Sequence, residues 1–378
     1  MVEAFSNPDL VVVLVGALVG IASSLVGTFL VLRGSSLLSD AISHSVLLGI
    51  VLVYLITGNQ YSPFFIVGAA AIGLLTVFLT ELLTRSQRVK ADAAIGLVYP
   101  FLFGIAVVLI NVFARDVHID TDAVLLGEIG FSWLNTVVVG GVAVPSALLT
   151  IGAVALLNTL FVAVFYKELK LATFDPGLAA ALGFSPTLLY YLLLGLTSIT
   201  AVTAFDAVGA VLLVAFVIIP PSAAYLLTDT LWKMLLLGAG VGVASSLLGY
   251  VTAIWLDVSI GGMMAVWTGI FLLAAFLFGR RYGLLAQRAQ RRRQNGENAA
   301  RMLVVHLYNH ERKPEAAQEN TVSALRQHLR WDASKVSQVT EVGSERGLIT
   351  LGPSQEKLFL TESGRRLAQE VWEPWRRG

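Results

Sequence analysis

Nine apolar runs dominate this chain, each close to the roughly 20 residues that a helix needs to cross a bilayer. They occupy residues 10–32, 37–56, 63–83, 93–112, 146–166, 186–204, 207–227, 231–255 and 263–278. Against hydrocarbon, every backbone amide must find its partner inside its own segment, so each run is expected to be helical. Composition agrees: 56% of the 378 residues are hydrophobic and only 13% are charged, against about 25% charged in soluble domains. The expected architecture is an all-α polytopic membrane protein of about nine transmembrane helices over residues 1–280. A basic linker at 281–300 and a soluble α+β domain at 301–378 are expected to follow. The first residues, MVEAFSNPDL, are acidic and run straight into a spanning segment, unlike a cleavable secretory signal.

Basic residues set the orientation. The connections TRSQRVKAD (84–92), YKELKLATFDPG (166–177) and TDTLWK (228–233), with GRRYGLLAQRAQRRR (279–293) after the last run, fall on one side of a nine-helix chain. That side is expected to be cytoplasmic, with the N-terminus outside and the C-terminal domain inside. The opposite connections, at 58–62, 115–122 and 257–262, are poor in lysine and arginine. Between the fourth and fifth runs, LLGEIGF (125–131) reads as a short re-entrant element. TVVVGGVAV (136–144) has two β-branched runs around Gly140 and Gly141, a hairpin signal. His118, with Asp116, Asp120 and Asp122, makes an acidic outer loop. The run at Arg288–Arg293 reads as an anchor to anionic membrane lipid.

Several chemistries are excluded. There is no cysteine, hence no disulfide framework and no thiolate metal site. No G-x-x-x-x-G-K-[ST] loop occurs, nor a glycine-rich dinucleotide fingerprint or nucleophile triad. The chain is therefore not expected to be an enzyme or to hold a covalently bound cofactor.

The polar residues of the second run carry the chemistry. At helical spacing, Ser36, Asp40, Ser43 and His44 share one stripe. A polar stripe on an apolar transmembrane helix faces the bundle interior or a water-filled path. Carboxylate oxygen and imidazole nitrogen one turn apart suit manganese, ferrous iron or zinc. A capping polar turn near the interface, or an Asp–His pair satisfying itself, accounts for the same residues. Asp40 also stands only a turn from the segment's start, where a pore site would be deeper. Either the first helix ends early or the second enters broken.

RGSSLLSDAISHSVLLG (33–49) resembles the motif of the manganese/zinc/iron ABC-type importer permeases. RVKADAAIGLVY (88–99), KELKLATFDPGLAAALGF (167–184) and FDAVGAVLLVAFVIIPPSAAYLLTD (205–229) are similar to that family's later blocks, in the same order. The resemblance covers about residues 10–279. It implies a permease subunit that lines a translocation path with a second permease, homodimeric or paralogous. It also implies an ABC ATPase beneath and an extracellular metal-binding protein above. Divalent manganese, zinc or iron would be the substrate. Asp40 and His44 match the family's path residues. Asp206 departs from the glutamine or glutamate often found at its position and is a tentative further ligand.

The stretch 167–184 resembles the family's coupling segment, with Asp175 expected to cap a helix that begins at Pro176. Phe174, Asp175, Pro176, Leu178, Leu182 and Gly183 are the coupling candidates, with Phe184 extending the apolar face. Pro220 and Pro221 interrupt the seventh run and are hinge candidates. Glu81 reads as an interfacial residue.

After Arg293 the composition becomes that of a soluble protein. QNGENAA (294–300) reads as a linker, followed by helices at 301–311, at 320–331 and from Ala333 with Asp332 as cap. GLITL and KLFLT read as strands, and a last helix starts at Glu362. That order resembles a winged helix like those of bacterial metal-dependent repressors. His306 and His310, at i, i+4, are candidates for a weak regulatory metal, with His328 nearby in sequence. The helix from Ala333 mixes acids with bases, so DNA is not the expected partner. A membrane-anchored metal-responsive DNA-binding regulator and a proton-coupled secondary metal carrier are the competing readings. The coupling segment favours the importer.

Overall fold

The computed structural model describes residues 7–58, 64–113, 129–279, 282–314, 316–353 and 356–376. It forms two compact units, Met1–Gly283 and Leu284–Gly378.

The first unit is a helix bundle. Among its described residues, nine helical stretches are long and apolar enough to span a membrane. They are α1 (Pro8–Leu32), α2 (Leu37–Thr57), α3 (Phe65–Arg85), α4 (Ala91–Phe113), α5 (Ser146–Val164), the two halves of α8 (Pro186–Leu227), α9 (Leu231–Leu256) and α10 (Ile260–Phe278). Two short helices, α6 (Tyr166–Phe174) and α7 (Pro176–Ala181), lie between α5 and α8. A 3-10 turn at Ile129–Phe131 and the antiparallel hairpin of β1 (Thr136–Val139) and β2 (Val142–Pro145) precede α5. The hairpin turns at Gly140 and Gly141, as its sequence leads one to expect.

The spans are not equivalent. α1 is the most enclosed, packed on α5, α8 and α9. Its Val11, Val15, Val19 and Phe29 are fully buried. Gly27 lets the α8 backbone approach: a Cβ there would fall on the Val217 carbonyl oxygen. Asn158 of α5 ties the same elements together, its amide donating to the Ala22 carbonyl at 3.1 Å and to Thr200 Oγ1 at 2.8 Å. Phe101, Leu156, Trp255 and Leu273 point outward. Such apolar exposure is the face a membrane protein offers to lipid.

The spacing of prolines in α8 leads one to expect a break at Pro220–Pro221. The chain is helical through both, and the non-helical residue is Gly209, at φ 77° and ψ 171°. Proline at these positions costs hydrogen bonds but keeps a helical φ, whereas a positive φ is open to glycine. The break lies just inside the second span of α8, Ala207–Leu227.

The second unit begins with α11 (Leu284–His310), followed by α12 (Ala316–Glu319), α13 (Val322–His328) and α14 (Ala333–Glu345). β3 (Ile349–Leu351), β4 (Leu358–Leu360) and α15 (Glu362–Arg376) complete it. The expected linker at 294–300 is instead an unbroken part of α11. One interior glycine, Gly296, costs only about 1 kcal/mol of helix propensity. The turns beyond it bury Ala299, Leu303, Val304 and Leu307 in this unit's core, which offsets that. Asp332 caps α14 as expected, accepting from Lys335 N at 2.7 Å. β3 and β4 pair antiparallel, and Leu358 and Ile349 join the core.

Candidate metal site and coupling surface

The turn between α1 and α2 places the first candidates. Arg33 closes α1, Gly34 reverses the chain at φ 67°, and α2 starts at Leu37. Asp40 sits in the first turn of α2 and His44 one turn on. α1 neither ends early nor does α2 enter broken, so the pair lies at the start of an intact helix. Asp40 Oδ1 is 3.4 Å from His44 Nε2, and their side chains are 36% and 31% exposed. The imidazole stacks on Tyr99 of α4 with centroids 5.7 Å apart and meets Phe103 edge-on at 6.3 Å. Those rings limit its rotation and hold it beside the carboxylate.

Of the stripe, Ser43 does not join them: its Oγ is buried and donates to the Asp40 carbonyl at 2.7 Å, as the neighbouring Ser39 Oγ does to the Ser36 carbonyl. What α2 offers is one carboxylate and one imidazole, open on one side. Two protein ligands fill half of a tetrahedral shell. Water or another subunit has room to supply the remainder.

Arg33, at the head of the motif, connects this turn to α6. Its Nη2 donates to the Ala172 carbonyl at 3.0 Å, and its guanidinium lies 4.9 Å from the Tyr190 ring centre. Ala172 lies in the last turn of α6, where unpaired carbonyls favour a cation. Beside Arg33 is a cavity of about 270 Å³ lined also by Ser35, Thr80, Glu81, Asp92 and Tyr190. Glu81, expected as a plain interfacial residue, is held on two sides. Arg85 donates to it at 2.6 Å, and the Tyr191 hydroxyl donates to its other oxygen. These links join α1, α3, α6 and α8 at one end of the bundle. Sequence reasoning missed the Arg33–Ala172 and Tyr191–Glu81 links because their partners are more than a hundred residues apart, whereas Glu81 and Arg85, at i, i+4, were readable from spacing.

The coupling candidates follow directly. Asp175 accepts from Leu178 N at 2.9 Å and caps α7, with Pro176 at its first position. Gly183 leaves the helix at φ 88°, and Ser185 caps α8. Phe174, Leu178, Leu182 and Phe184 are all exposed. Phe174 ends α6, Leu178 lies in the Asp175-capped α7, and Leu182 and Phe184 follow it, so four large apolar side chains within eleven residues are left exposed.

Other candidates are placed differently. The side chain of Asp206 lies outside the described residues; its backbone is helical, three residues before Gly209. The acidic loop around His118, together with Glu128 and most of the expected re-entrant element, also lies outside them. His306 and His310 share one face of α11, with ring centroids 4.8 Å apart. Burial holds His306 below the ordinary histidine value. The neighbouring His310 and His328 push the same way, against the Glu319 carbonyl and carboxylate.

Comparison with known proteins bears on the family of the chain. The chain is 47% identical over 289 residues to the manganese transport system membrane protein MntD of Bacillus subtilis, covering 76% of this chain and 98% of that one. It is 43% identical over 360 residues to the zinc transport system membrane protein TroD of Treponema pallidum, covering 95% and 97%. An alignment of that length necessarily includes most of the second unit. A chain of the solved PsaBC complex from Streptococcus pneumoniae with a Fab superposes at a TM-score of 0.63. That match has 29% identity and covers 76% of this chain and 100% of the other. Residues 10–279 match the ABC 3 transport family, and the chain belongs to that family of membrane permeases.

Proposed function

We propose that this chain is the membrane-spanning permease subunit of an ATP-driven importer of manganese, zinc or iron(II) in a bacterial plasma membrane. The observation that carries the reading is the Asp40–His44 pair, 3.4 Å apart and part-exposed at the start of α2. A transport site must bind the ion firmly enough to accept it and loosely enough to release it. A carboxylate and an imidazole with an open side meet both demands. The coordination shell is completed by water or by a second permease subunit, whether a second copy or a paralogue. An extracellular metal-binding protein delivers the ion.

The ATPase subunit docks on the surface formed by Phe174, Leu178, Leu182 and Phe184. Arg33 is the physical link between that surface and the metal pair, since it leads into α2 and is bonded to the end of α6. The basic connections put this end in the cytoplasm, with the N-terminus outside and the second unit inside. Asp206, next to the break at Gly209, is a further candidate ligand. Bending in α8 is better placed at that break than at Pro220 and Pro221.

The second unit runs four helices, a β-hairpin and a last helix, an order we read as winged-helix-like. Its α14, in the recognition position, carries one lysine and two glutamates, a balance that opposes phosphate contact. We read it as a regulatory or ATPase-contacting module.

The test is ATP-dependent metal accumulation by the permease reconstituted in liposomes with its ATPase and binding protein. Asp40→Ala and His44→Ala each abolish accumulation of Mn(II) and Zn(II) while ATPase docking survives. Wild-type accumulation in both variants would refute the site.

A further inference from the structure

Three elements of the second unit bring four ligand-type side chains to one point. His306 and His310 come from the last turns of α11, Glu319 ends α12, and His328 lies in the last turn of α13. One ligand atom from each lies within 4.8 Å of every other. The His306 ring centre is 4.8 Å from that of His310 and 5.9 Å from that of His328; His310 and His328 are 6.4 Å apart. Sequence spacing pointed to the i, i+4 pair on α11. Only folding adds Glu319 and His328.

One atom of the cluster lacks the hydrogen bond that burial ordinarily demands: His310 Nδ1 is buried with no hydrogen-bond partner. Glu319 Oε2 is buried 2.8 Å from His328 Nδ1, the distance of an ion pair when that imidazole is protonated. A divalent cation would take the place of that proton and supply the partner that His310 Nδ1 lacks. His306 is mostly buried, and its Nε2 lies 3.4 Å from the Glu319 carbonyl oxygen, which ties α11 to the same residue.

We propose that His306, His310, Glu319 and His328 form a binding site for a divalent transition metal, zinc most tightly, that fastens α11 to α12 and α13. Three imidazole nitrogens and one carboxylate oxygen are a borderline donor set that accepts zinc, iron(II) and manganese, in falling order of affinity. Zinc–ligand bonds of about 2.0–2.1 Å put the corners of a tetrahedron about 3.3 Å apart. From separations of at most 4.8 Å, each ligand atom moves inward by about 1 Å, within the reach of side-chain rotation on a fixed backbone. The site is separate from the Asp40–His44 pair and stands whether or not that pair carries cargo.

The experiment uses the full-length chain in detergent with Asp40→Ala and His44→Ala already introduced, so that the bundle pair contributes no binding. Zinc stoichiometry is measured by equilibrium dialysis, and cobalt(II) is added in parallel as a spectroscopic probe. The expected result is one zinc per chain and the visible absorption of four-coordinate cobalt with nitrogen and oxygen ligands. Adding His310→Ala and His328→Ala should abolish the cobalt signal. Zinc affinity should fall by more than the roughly 10–100-fold that follows loss of an outer-shell partner. Zinc should also raise the unfolding temperature of the first protein and not of the second. Because His328 is on the surface, His328→Asn alone serves as a second variant that leaves the core untouched, and it should weaken zinc in the same direction. No zinc in the starting protein, or equal zinc affinity in all three proteins, overturns the proposal.

Discussion

The bundle and the C-terminal unit each bring imidazole beside carboxylate, but they do so to different degrees. In the bundle, one helix supplies one of each, part-exposed and with a free side. In the C-terminal unit, three elements supply three imidazoles and a carboxylate around one point. The number of protein ligands separates passage from retention. Half a shell leaves positions through which an ion exchanges, whereas a filled one holds it. The first arrangement suits cargo, and the second suits a resident or sensed ion.

The two regions also pack by different means. Helix axes in the bundle approach until backbone meets backbone, as at Gly27 and Val217. The C-terminal unit instead fills a core with Leu303, Val304, Leu307, Val336 and Leu358. In lipid, apolar side chains gain little by leaving one hydrocarbon for another, so close contact between small residues holds helices together. In water, burial of apolar side chains is the principal gain.

Experiments that break the comparison come in order of size. Asp40→Ala with His44→Ala should reduce ATP-driven uptake to background while zinc bound at the C-terminal unit stays unchanged, read by transport and by dialysis of the same preparation. Gly27→Leu should prevent assembly of the bundle, since the new side chain meets the Val217 carbonyl. The yield of monodisperse protein in detergent reports it.

Tyr99→His sharpens the contrast from the other direction. The Tyr99 ring is stacked on His44, so a third imidazole there should tighten metal binding about tenfold or more and slow turnover. Faster uptake with tighter binding would undo the argument that an open shell serves release.

Two smaller effects test local structure. Gly296→Ala lies in α11 with open space around it and should stabilise the C-terminal unit by up to about 1 kcal/mol. A flexible linker at 294–300 would show no such gain on thermal unfolding. Asp175→Ala removes the cap of α7 and should cost about 1 kcal/mol of local stability. Faster amide exchange over residues 176–182 and weaker stimulation of the ATPase by metal would report it.

Much of this molecule was legible from residue order. The spans are long apolar runs, and lipid forces them to be helices. Asp332 and Asp175 were readable as caps because a cap bond closes within three residues. The Asp40–His44 pair was readable for the same reason, being one helical turn apart. Pro220 and Pro221 misled because proline is a visible helix breaker, while the break depended on a positive φ at Gly209. The 294–300 stretch misled because its polar composition concealed an apolar face that begins at Ala299.

The sequence by itself therefore determined what depends on neighbours within a turn: spans, caps, hairpins and the i, i+4 pairs. Tertiary structure decided the rest. It ran Arg33 to the carbonyl of Ala172 and the Tyr191 hydroxyl to Glu81, and it added Glu319 and His328 to a pair of histidines on α11. Helical spacing repeats every few residues and can be read along a chain, but contacts between elements depend on where the packing of every other element sends them.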